Sequence, residues 1–216
     1  MTSPTLPRLA VLGAGHVGPV IARIAIDAGY PVSIASSGSP DRIALITEFL
    51  VPGAEARWAA DAVADADLVI LAIPLHRFEE VDPALLAGKV VVDVMNYWPP
   101  VNGVVPMFEN NPLTSSEIVQ RRLPASTVVK SLNQIGYHDL DEARRPAGSR
   151  ERLAIGVAGD DPGAVKTVAE VIERIGYDAV ALNRLSLGRL LEPGGPVFGA
   201  LMRKAEFEMA LGARAA

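Results

Sequence analysis

Short apolar runs alternate along the chain with amphipathic stretches. Runs rich in Val, Ile, Leu and Ala, bounded by turn residues, predict strands at 8–13, 31–37, 66–74, 88–96, 126–134, 152–159 and 177–183. Helical spacing predicts helices at 19–29, 41–50 and 162–175. Because the predicted strands are apolar almost throughout, they are typical of parallel strands covered by helices on both faces. The pattern predicts an α/β fold with a doubly wound, mostly parallel sheet.

Polar and turn residues mark three further features. The segment 97–113 is rich in Pro, Asn and Gly and predicts a long loop. Thr114 and Glu117 after it have the spacing of a capping box, and Asp160 and Asp161 before Pro162 predict a helix start.

Composition narrows the class of partner. The 216 residues are 50% hydrophobic, enough for a full core, and the net charge is −5 with no basic run. Nucleic acid and anionic membrane are therefore not expected as partners, and a small soluble molecule is. The absence of cysteine excludes disulfides, thiol nucleophiles and thiolate metal sites, and no apolar stretch is long enough to span a bilayer. The N-terminal residues lack the pattern of a signal peptide, so we expect a cytoplasmic protein.

The stretch "AVLGAGHVGPVIARIA" places three glycines between the first strand and the first helix. In a strand-turn-helix unit, Gly13 permits the tight turn, Gly15 lets a pyrophosphate approach the backbone, and Gly18 lets the helix pack closely on the strand. The helix N-terminus supplies N–H donors to the phosphates. The turn therefore predicts a Rossmann-type site for a dinucleotide, with Ala14, His16 and Val17 included in the turn.

The end of the second strand indicates which dinucleotide is preferred. An NAD site normally offers a carboxylate there, whereas this chain has "ASSGSPDR". Ser36 and Ser37 offer hydroxyl groups and Arg42 a positive charge to a 2′-phosphate. The sequence favours NADP, although Asp41 stands beside Arg42.

The later strand ends supply the remaining candidates. Ala72, Ile73 and Pro74 follow the strand at 66–74 and are expected at the carboxyl edge of the sheet, beside the nicotinamide. His76 either hydrogen-bonds a ligand or caps the next helix. Asn96 either holds the carboxamide or ribose or closes a turn.

Two charged residues lie in the later strands. Lys130 is interpreted as a surface lysine at a strand end, with a catalytic role as the alternative. Asp93 is expected to position a neighbouring loop.

No catalytic side chain or metal site is predicted. The three histidines, at 16, 76 and 138, have no metal-ligand spacing, and the chain contains no GxSxG elbow.

Taken in order, "VLGAGHVG", "ASSGSPDR", "ADLVILAIP", "GKVVVDVMN", "SSEIVQRRLPASTVVKSLNQIG" and "GRLLEPGGP" resemble the NADP oxidoreductases that use the deazaflavin coenzyme F420. The resemblance runs from residue 8 to about 204. It implies a Rossmann part at 1–126 and a C-terminal extension of the same sheet at 127–216, forming one compact unit. It also implies direct hydride transfer between NADP(H) and the deazaflavin, with no acid, base or nucleophile, and a homodimer is expected.

The resemblance assigns the candidate residues to two sides. The NADP side comprises Gly13, Gly15, His16, Val17, Gly18, Ser36, Ser37 and Arg42, with Ala72, Ile73, Pro74 and Asn96 toward the nicotinamide. Ala14 and His76 are added to this side from their positions in the glycine turn and after the strand at 66–74. The deazaflavin side comprises Asn133, Gln134, Ile135, Gly194, Gly195 and Pro196. The chain departs from the family in having Ser37 where members commonly have arginine, so 2′-phosphate binding depends on Arg42. The aromatic residues Tyr97 and Trp98 of the long loop either flank a planar ligand or pack as the hinge of a lid.

Three other functions fit part of the pattern. A two-domain hydroxyacid dehydrogenase is disfavoured because the chain continues the βα pattern instead of adding a helical domain. An NADPH-dependent reductase of FMN, FAD or another small acceptor has the same glycine turn. A non-catalytic NADPH sensor is the alternative from another class.

Overall fold

A computed structural model describes residues 6–212 of the chain. The strands of its sheet are β1 (Leu9–Leu12), β2 (Val32–Ala35), β3 (Glu55–Ala56), β4 (Leu68–Leu71), β5 (Val90–Asp93), β6 (Thr127–Ser131), β7 (Ala154–Gly159) and β8 (Asp178–Leu182). The α-helices are α1 (Val17–Asp27), α2 (Asp41–Leu50), α3 (Ala59–Ala64), α4 (Pro99–Asn102), α5 (Ser115–Arg122), α6 (Tyr137–Glu142), α7 (Pro162–Arg174) and α8 (Lys204–Gly212). Helices of the 3-10 type lie at Leu75–Glu80, Pro83–Leu86 and Leu185–Leu191.

The strands form one sheet in the order β3-β2-β1-β4-β5-β6-β7-β8. All neighbours pair in parallel except β6 and β7, which are antiparallel. The chain moves outward from β1 to β2 and β3, then crosses back to β4, so the direction of winding reverses between β1 and β4. This reversal point is where open α/β sheets bind ligands. The predicted mostly parallel, Rossmann-type α/β fold is confirmed.

Strands β1, β4 and β7 are buried at every residue and therefore on both faces, as their apolar composition predicts, whereas β3 and β8 are partly exposed. Leu9 and Val11 of β1 belong to one core cluster and Ala10 and Leu12 to the other, since alternate side chains point to opposite faces. A third cluster covers β7 and β8 with residues from the C-terminal segment, including Phe207. Helices therefore pack on both faces, and the carboxyl edge stays available for a site.

Several strand boundaries differ from the sequence-based prediction. The run at 66–74 yields only Leu68–Leu71 as strand, and β3 has two residues that no apolar run marks. The hydrogen bonds between strands end where the chain turns into the loops at the carboxyl edge, although the sequence stays apolar for a few more residues. The predicted division between residues 126 and 127 coincides with the start of β6, which pairs with β5 from Val90 opposite Thr127. That division stays a prediction.

The predicted capping box and the predicted helix start at Asp161 are confirmed, whereas the prediction for Asp160 is wrong. The side chain of Thr114 accepts a hydrogen bond from the Glu117 N–H, and the Glu117 carboxylate accepts one from the Thr114 N–H. Asp161 caps α7 through the Ala164 N–H, 2.7 Å away, whereas Asp160 accepts from the Leu185 N–H instead. The predicted loop at 97–113 contains the short helix α4.

Candidate functional site

Two of the three glycines of the first turn are required by close backbone contacts, and the third borders open space. A Cβ on Gly13 would stand 2.2 Å from the Ala72 carbonyl oxygen, and one on Gly18 would stand 1.8 Å from that of Gly13. Gly13 also has a φ of +126°, which disfavours any L side chain. A Cβ on Gly15, by contrast, would meet no protein atom within 4 Å. Two glycines therefore close the turn against β4 and α1, and the third leaves space beside the helix N-terminus.

A cavity of about 700 Å³ opens in front of this turn. Its lining comes from the carboxyl ends of β1, β2 and β4, from α2 and from the 3-10 helices that follow β4. It includes nine predicted residues: Gly13, Ala14, Gly15, Ser36, Ser37, Arg42, Ala72, Ile73 and Pro74. The structure thus brings together in one cavity residues that are up to 61 positions apart in the chain, from 13 to 74.

Arg42 is the exposed cation at the β2 end of this cavity. It makes no ion pair within residues 6–212, and its Nη1 lies 3.2 Å from where a Cβ on Gly38 would stand. Asp41 accepts a hydrogen bond from the Ser39 hydroxyl at 3.0 Å, so its carboxylate is paired with the Ser39 side chain rather than with Arg42. The Arg42 charge is therefore available to an anion.

The opposite wall contains residues that the sequence analysis missed: Arg77, Glu80, Val81, Asp82 and Leu85. Arg77 donates three hydrogen bonds to Glu80, at 2.6, 2.9 and 3.1 Å, and this pairing raises the pKa of the arginine and lowers that of Glu80. The "HRFEE" stretch has no helical or strand period, so periodicity gave no signal for it. The opposite charges of Arg77 and Glu80, three residues apart, were the sequence signal that could have indicated their pairing.

His76 does not cap a helix. The 3-10 helix at Leu75–Glu80 begins after Pro74 and has no side-chain cap, and His76 is exposed outside the lining of the cavity. The capping interpretation is therefore wrong. A ligand contact by His76 stays a prediction.

His16 and Tyr137 join the glycine turn to the segment after β6. Their rings are stacked, with centroids 5.7 Å apart and an interplanar angle of 17°. His16 precedes the first residue of α1, Val17, and makes no capping hydrogen bond with its side chain. The turn and α6 therefore meet at the carboxyl edge of the sheet.

Asn96 and Asn133 pair through their amides at the ends of β5 and β6. Asn96 Nδ2 donates to the main-chain oxygen of Asn133 at 2.8 Å, and Asn133 Nδ2 donates to Asn96 Oδ1 at 2.9 Å and to the Leu191 carbonyl at 2.7 Å. Asn96 is half-buried and Asn133 is 4% exposed. Asn96 therefore does more than close a turn, because it binds the neighbouring strand end.

The other predicted deazaflavin-side residues follow β6 or lie in the C-terminal segment, which hydrogen-bonds to the chain after β6. The main-chain oxygen of Gln134 accepts from the Gly199 N–H at 2.7 Å, and Ile135 packs in the core. Gly194 has a φ of +87° with open space beside it. A Cβ on Gly195 would stand 2.3 Å from the Leu190 carbonyl oxygen, and Pro196 follows, partly exposed.

The aromatic residues of the long loop separate into two environments. Tyr97 packs on Phe108, 5.5 Å between centroids, and its hydroxyl donates to Glu109, which raises the pKa of the tyrosine. Trp98 makes an edge contact with Phe198 at 6.1 Å and is 46% exposed. Tyr97 therefore closes the loop on itself, and Trp98 reaches the C-terminal segment that contains Gly194.

The interpretation of Lys130 as a surface residue is wrong. Its side chain is fully buried, and Nζ donates to the Met95 carbonyl and lies 3.4 Å from Asp93 Oδ2 and from Ser115 Oγ. Asp93 also accepts from the Met95 N–H and the Ser116 hydroxyl, so it does position a neighbouring segment, as expected. An apolar run gives no signal that a lysine within it is paired.

Residues 6–212 contain no cluster of three His, Asp or Glu side chains that could hold a metal ion. Over the same range, each helix is too short or too polar to cross a membrane.

Comparisons with known proteins agree with the predicted resemblance. Residues 8–97 match the family model described as NADP oxidoreductase coenzyme F420-dependent. No curated protein sequence matches the chain significantly.

Solved structures extend the likeness over most of the chain. The hypothetical protein SMa0349 from Sinorhizobium meliloti is 27% identical with a TM-score of 0.78, covering 92% of this chain and 96% of that one. A candidate F420-dependent NADP reductase from Arthrobacter sp. FB24 is 26% identical with a TM-score of 0.70, covering 92% and 100%. An imine reductase from Pseudomonas sp. shares the fold at 20% identity and a TM-score of 0.57, covering 97% of this chain and 63% of that one. The resemblance and the class of NADP-dependent oxidoreductase are confirmed.

Proposed function

We propose that this chain, an NADP-dependent oxidoreductase by its family match and fold, transfers a hydride directly between NADP(H) and a deazaflavin coenzyme of the F420 type. The observation that carries the proposal is the cavity in front of the glycine turn, which combines an open Gly15 with an unpaired Arg42. The family match supports the choice of a deazaflavin as the acceptor.

The cavity suits the adenosine and phosphate part of NADP(H). The space beside Gly15 admits a pyrophosphate to the N-terminus of α1, where free main-chain N–H groups and the helix dipole favour an anion. Ser36, Ser37 and Arg42 lie at the end of β2, where the 2′-phosphate is bound in this type of fold. The residues present therefore fit NADP(H).

The nicotinamide half of NADP(H) is proposed at β4 to β6, across the β1–β4 reversal point from the adenosine half. Ala72, Ile73 and Pro74 form the wall after β4, and the Asn96–Asn133 pair follows at β5 and β6. Hydrogen-bonded strands are about 4.8 Å apart, so β6 lies about 10 Å from β4 along the same edge. Apolar side chains beside β4 exclude water from the reacting ring, and the amide pair offers polar groups to its substituent.

The acceptor side is proposed where the β6 end meets the C-terminal segment. Asn133 and Gln134 bind this segment through Leu191 and Gly199, and Trp98 contacts Phe198 beside it. A deazaflavin bound here would supply the ring carbon that takes up or gives up the hydride. The contribution of the chain is to hold the two rings in contact, since proximity alone supplies several kcal/mol.

An acceptor panel tests the function. The purified full chain is mixed with NADPH and, in separate reactions, with F420, FMN or FAD, and the absorbance of each acceptor is followed. Loss of the oxidised F420 band, and reduction of NADP⁺ by reduced F420, support the proposal. Turnover with FMN or FAD alone assigns the chain to flavin reduction, and NADPH binding without any turnover assigns it to the sensors.

Assembly is a separate proposal. We expect a homodimer in the cytoplasm, with no nucleic acid or membrane partner. Light scattering coupled to size-exclusion chromatography measures the mass of the assembly, and a mass of one chain at micromolar concentration would contradict the dimer.

A further inference from the structure

The amide oxygen of Asn133 is buried and has no hydrogen-bond partner within the part of the chain that the structure describes. An acceptor left unpaired in a protein interior loses its hydrogen bonds to water without replacing them, which destabilises the fold. Native proteins keep few such groups, and those they keep call for an explanation, of which a ligand is one.

The surrounding contacts fix the orientation of this amide. The Leu191 carbonyl can only accept a hydrogen bond, so the Asn133 atom that faces it, at 2.7 Å, is the nitrogen. The second hydrogen of that nitrogen is donated to Asn96 Oδ1 at 2.9 Å. An exchange of oxygen and nitrogen would place two acceptors together, so the unpaired atom is the oxygen.

Asn96 is fixed by the same reasoning. Its nitrogen faces the main-chain oxygen of Asn133 at 2.8 Å, which uses one of its two N–H groups. The pair therefore keeps one spare donor, on Asn96, and one unpaired acceptor, on Asn133. A primary carboxamide, with an N–H donor and a carbonyl acceptor, complements both.

We propose that Asn96 and Asn133 together recognise the carboxamide of the nicotinamide ring, with Asn133 Oδ1 accepting from its amino group and Asn96 Nδ2 donating to its carbonyl. This inference rests on the proposed NADP(H) site and adds the two side chains that recognise the nicotinamide ring. Asn96 is half-buried and Asn133 is 4% exposed, so Asn96 is the more accessible member of the pair.

A modified dinucleotide tests the inference by affinity rather than turnover. In the acetylpyridine analogue of NADP⁺, a methyl group replaces the amino group of the carboxamide and the carbonyl stays. The wild-type chain should bind NADP⁺ about tenfold more tightly than the analogue, because the analogue leaves Asn133 Oδ1 unpaired. Calorimetric titration of both ligands measures the ratio, and equal affinities in the wild type would overturn the inference without any variant.

The Asn133→Ala variant adds a coupling test. Without the acceptor, the preference for NADP⁺ over the analogue should fall to within about twofold. The Asn111→Ala variant is the matched control, since Asn111 bonds only Met107 and Leu113 within the long loop, and it should keep the wild-type ratio. Binding of 2′,5′-ADP, which lacks the nicotinamide, should be unchanged in both variants.

The outcomes separate this inference from the function. If NADP⁺ and 2′,5′-ADP both fail to bind the wild type, the proposed function fails. If NADP⁺ binds and Asn133→Ala lowers both affinities equally, Asn133 is only structural and the inference fails. If Asn133→Ala instead lowers the affinity for F420 and leaves the ratio of NADP⁺ to analogue affinity unchanged, the group that donates to Asn133 Oδ1 belongs to the deazaflavin. That result would also overturn the inference.

Discussion

Lys130 and Asp93 form an ion pair with no exposure of either side chain, 3.4 Å between Nζ and Oδ2. The pair holds the main chain of Met95 on both sides of its Cα, because Asp93 Oδ1 accepts from the Met95 N–H at 2.9 Å and Lys130 donates to the Met95 carbonyl. Met95 directly precedes Asn96. The buried charges therefore determine where the β5 chain end, and with it the amide pair, lies.

Breaking this pair from one side should destabilise the fold strongly. Lys130→Met leaves a buried carboxylate without its counter-ion, and removal of one partner of such a pair typically costs about 3–5 kcal/mol. Urea unfolding followed by circular dichroism measures the free energy of unfolding. The double variant with Asp93→Asn should lose less than the sum of the two single variants, because it leaves no unpaired charge. Strictly additive losses would show that the two residues act independently.

Gly15 and Gly18 of the first turn should respond differently to substitution. Gly15→Val places its side chain in open space, so it should abolish NADPH binding while the fold is kept. Gly18→Ala, although smaller, forces a Cβ against the Gly13 carbonyl and should destabilise the fold by about 1–3 kcal/mol. Thermal unfolding and NADPH titration on both variants separate the two effects. Normal NADPH binding by a folded Gly15→Val protein would show that the turn is only structural.

The sequence was sufficient to predict the parts of the site that depend on backbone geometry. A glycine turn after the first strand and the serines after the second have fixed positions in a doubly wound sheet, so the structure places Gly13, Ser36 and Arg42 at one cavity. The antiparallel β7 was not predicted, because apolar composition does not encode strand direction. Arg77 and Glu80 were missed because a 3-10 helix lacks a recognisable hydrophobic period.

Pairing between distant side chains was the main feature that the sequence could not give. Asn96 and Asn133 are 37 residues apart, as are Asp93 and Lys130, and each residue taken alone is compatible with a turn or a surface position. Only the register of β5 against β6, with Asp93 opposite Lys130, shows that these residues meet.

Arg42 should determine the preference between the two nicotinamide dinucleotides. We expect the wild type to bind NADPH at least about tenfold more tightly than NADH, and Arg42→Ala to reduce this to within about threefold. A double variant, Arg57→Ala with Asp65→Ala, is the control, because this ion pair lies outside the lining of the cavity and its removal keeps the net charge. Calorimetry with both dinucleotides gives the ratios. Retention of the full preference by Arg42→Ala would remove the argument for a 2′-phosphate site.

The acceptor side should be tested at Gly194 rather than at the neighbouring glycine. A side chain at Gly195 would collide with the Leu190 carbonyl and displace the backbone, whereas one at Gly194 meets no protein atom within 4 Å. Gly194→Leu and Gly194→Ala share the strain of a φ of +87°, about 1–2 kcal/mol, and differ in the volume that they add.

If Gly194 borders the deazaflavin, the larger side chain should separate the two rings. Gly194→Leu should then lower kcat for F420 reduction about tenfold relative to Gly194→Ala, because hydride transfer requires the rings in contact. NADPH affinity should agree within about twofold between the two variants, since the segment is assigned to the acceptor alone. Stopped-flow reduction of F420 and NADPH titration supply the two measurements. Equal rates in the Leu and Ala variants would place the acceptor elsewhere, and a parallel loss of NADPH affinity would place Gly194 beside the nicotinamide instead.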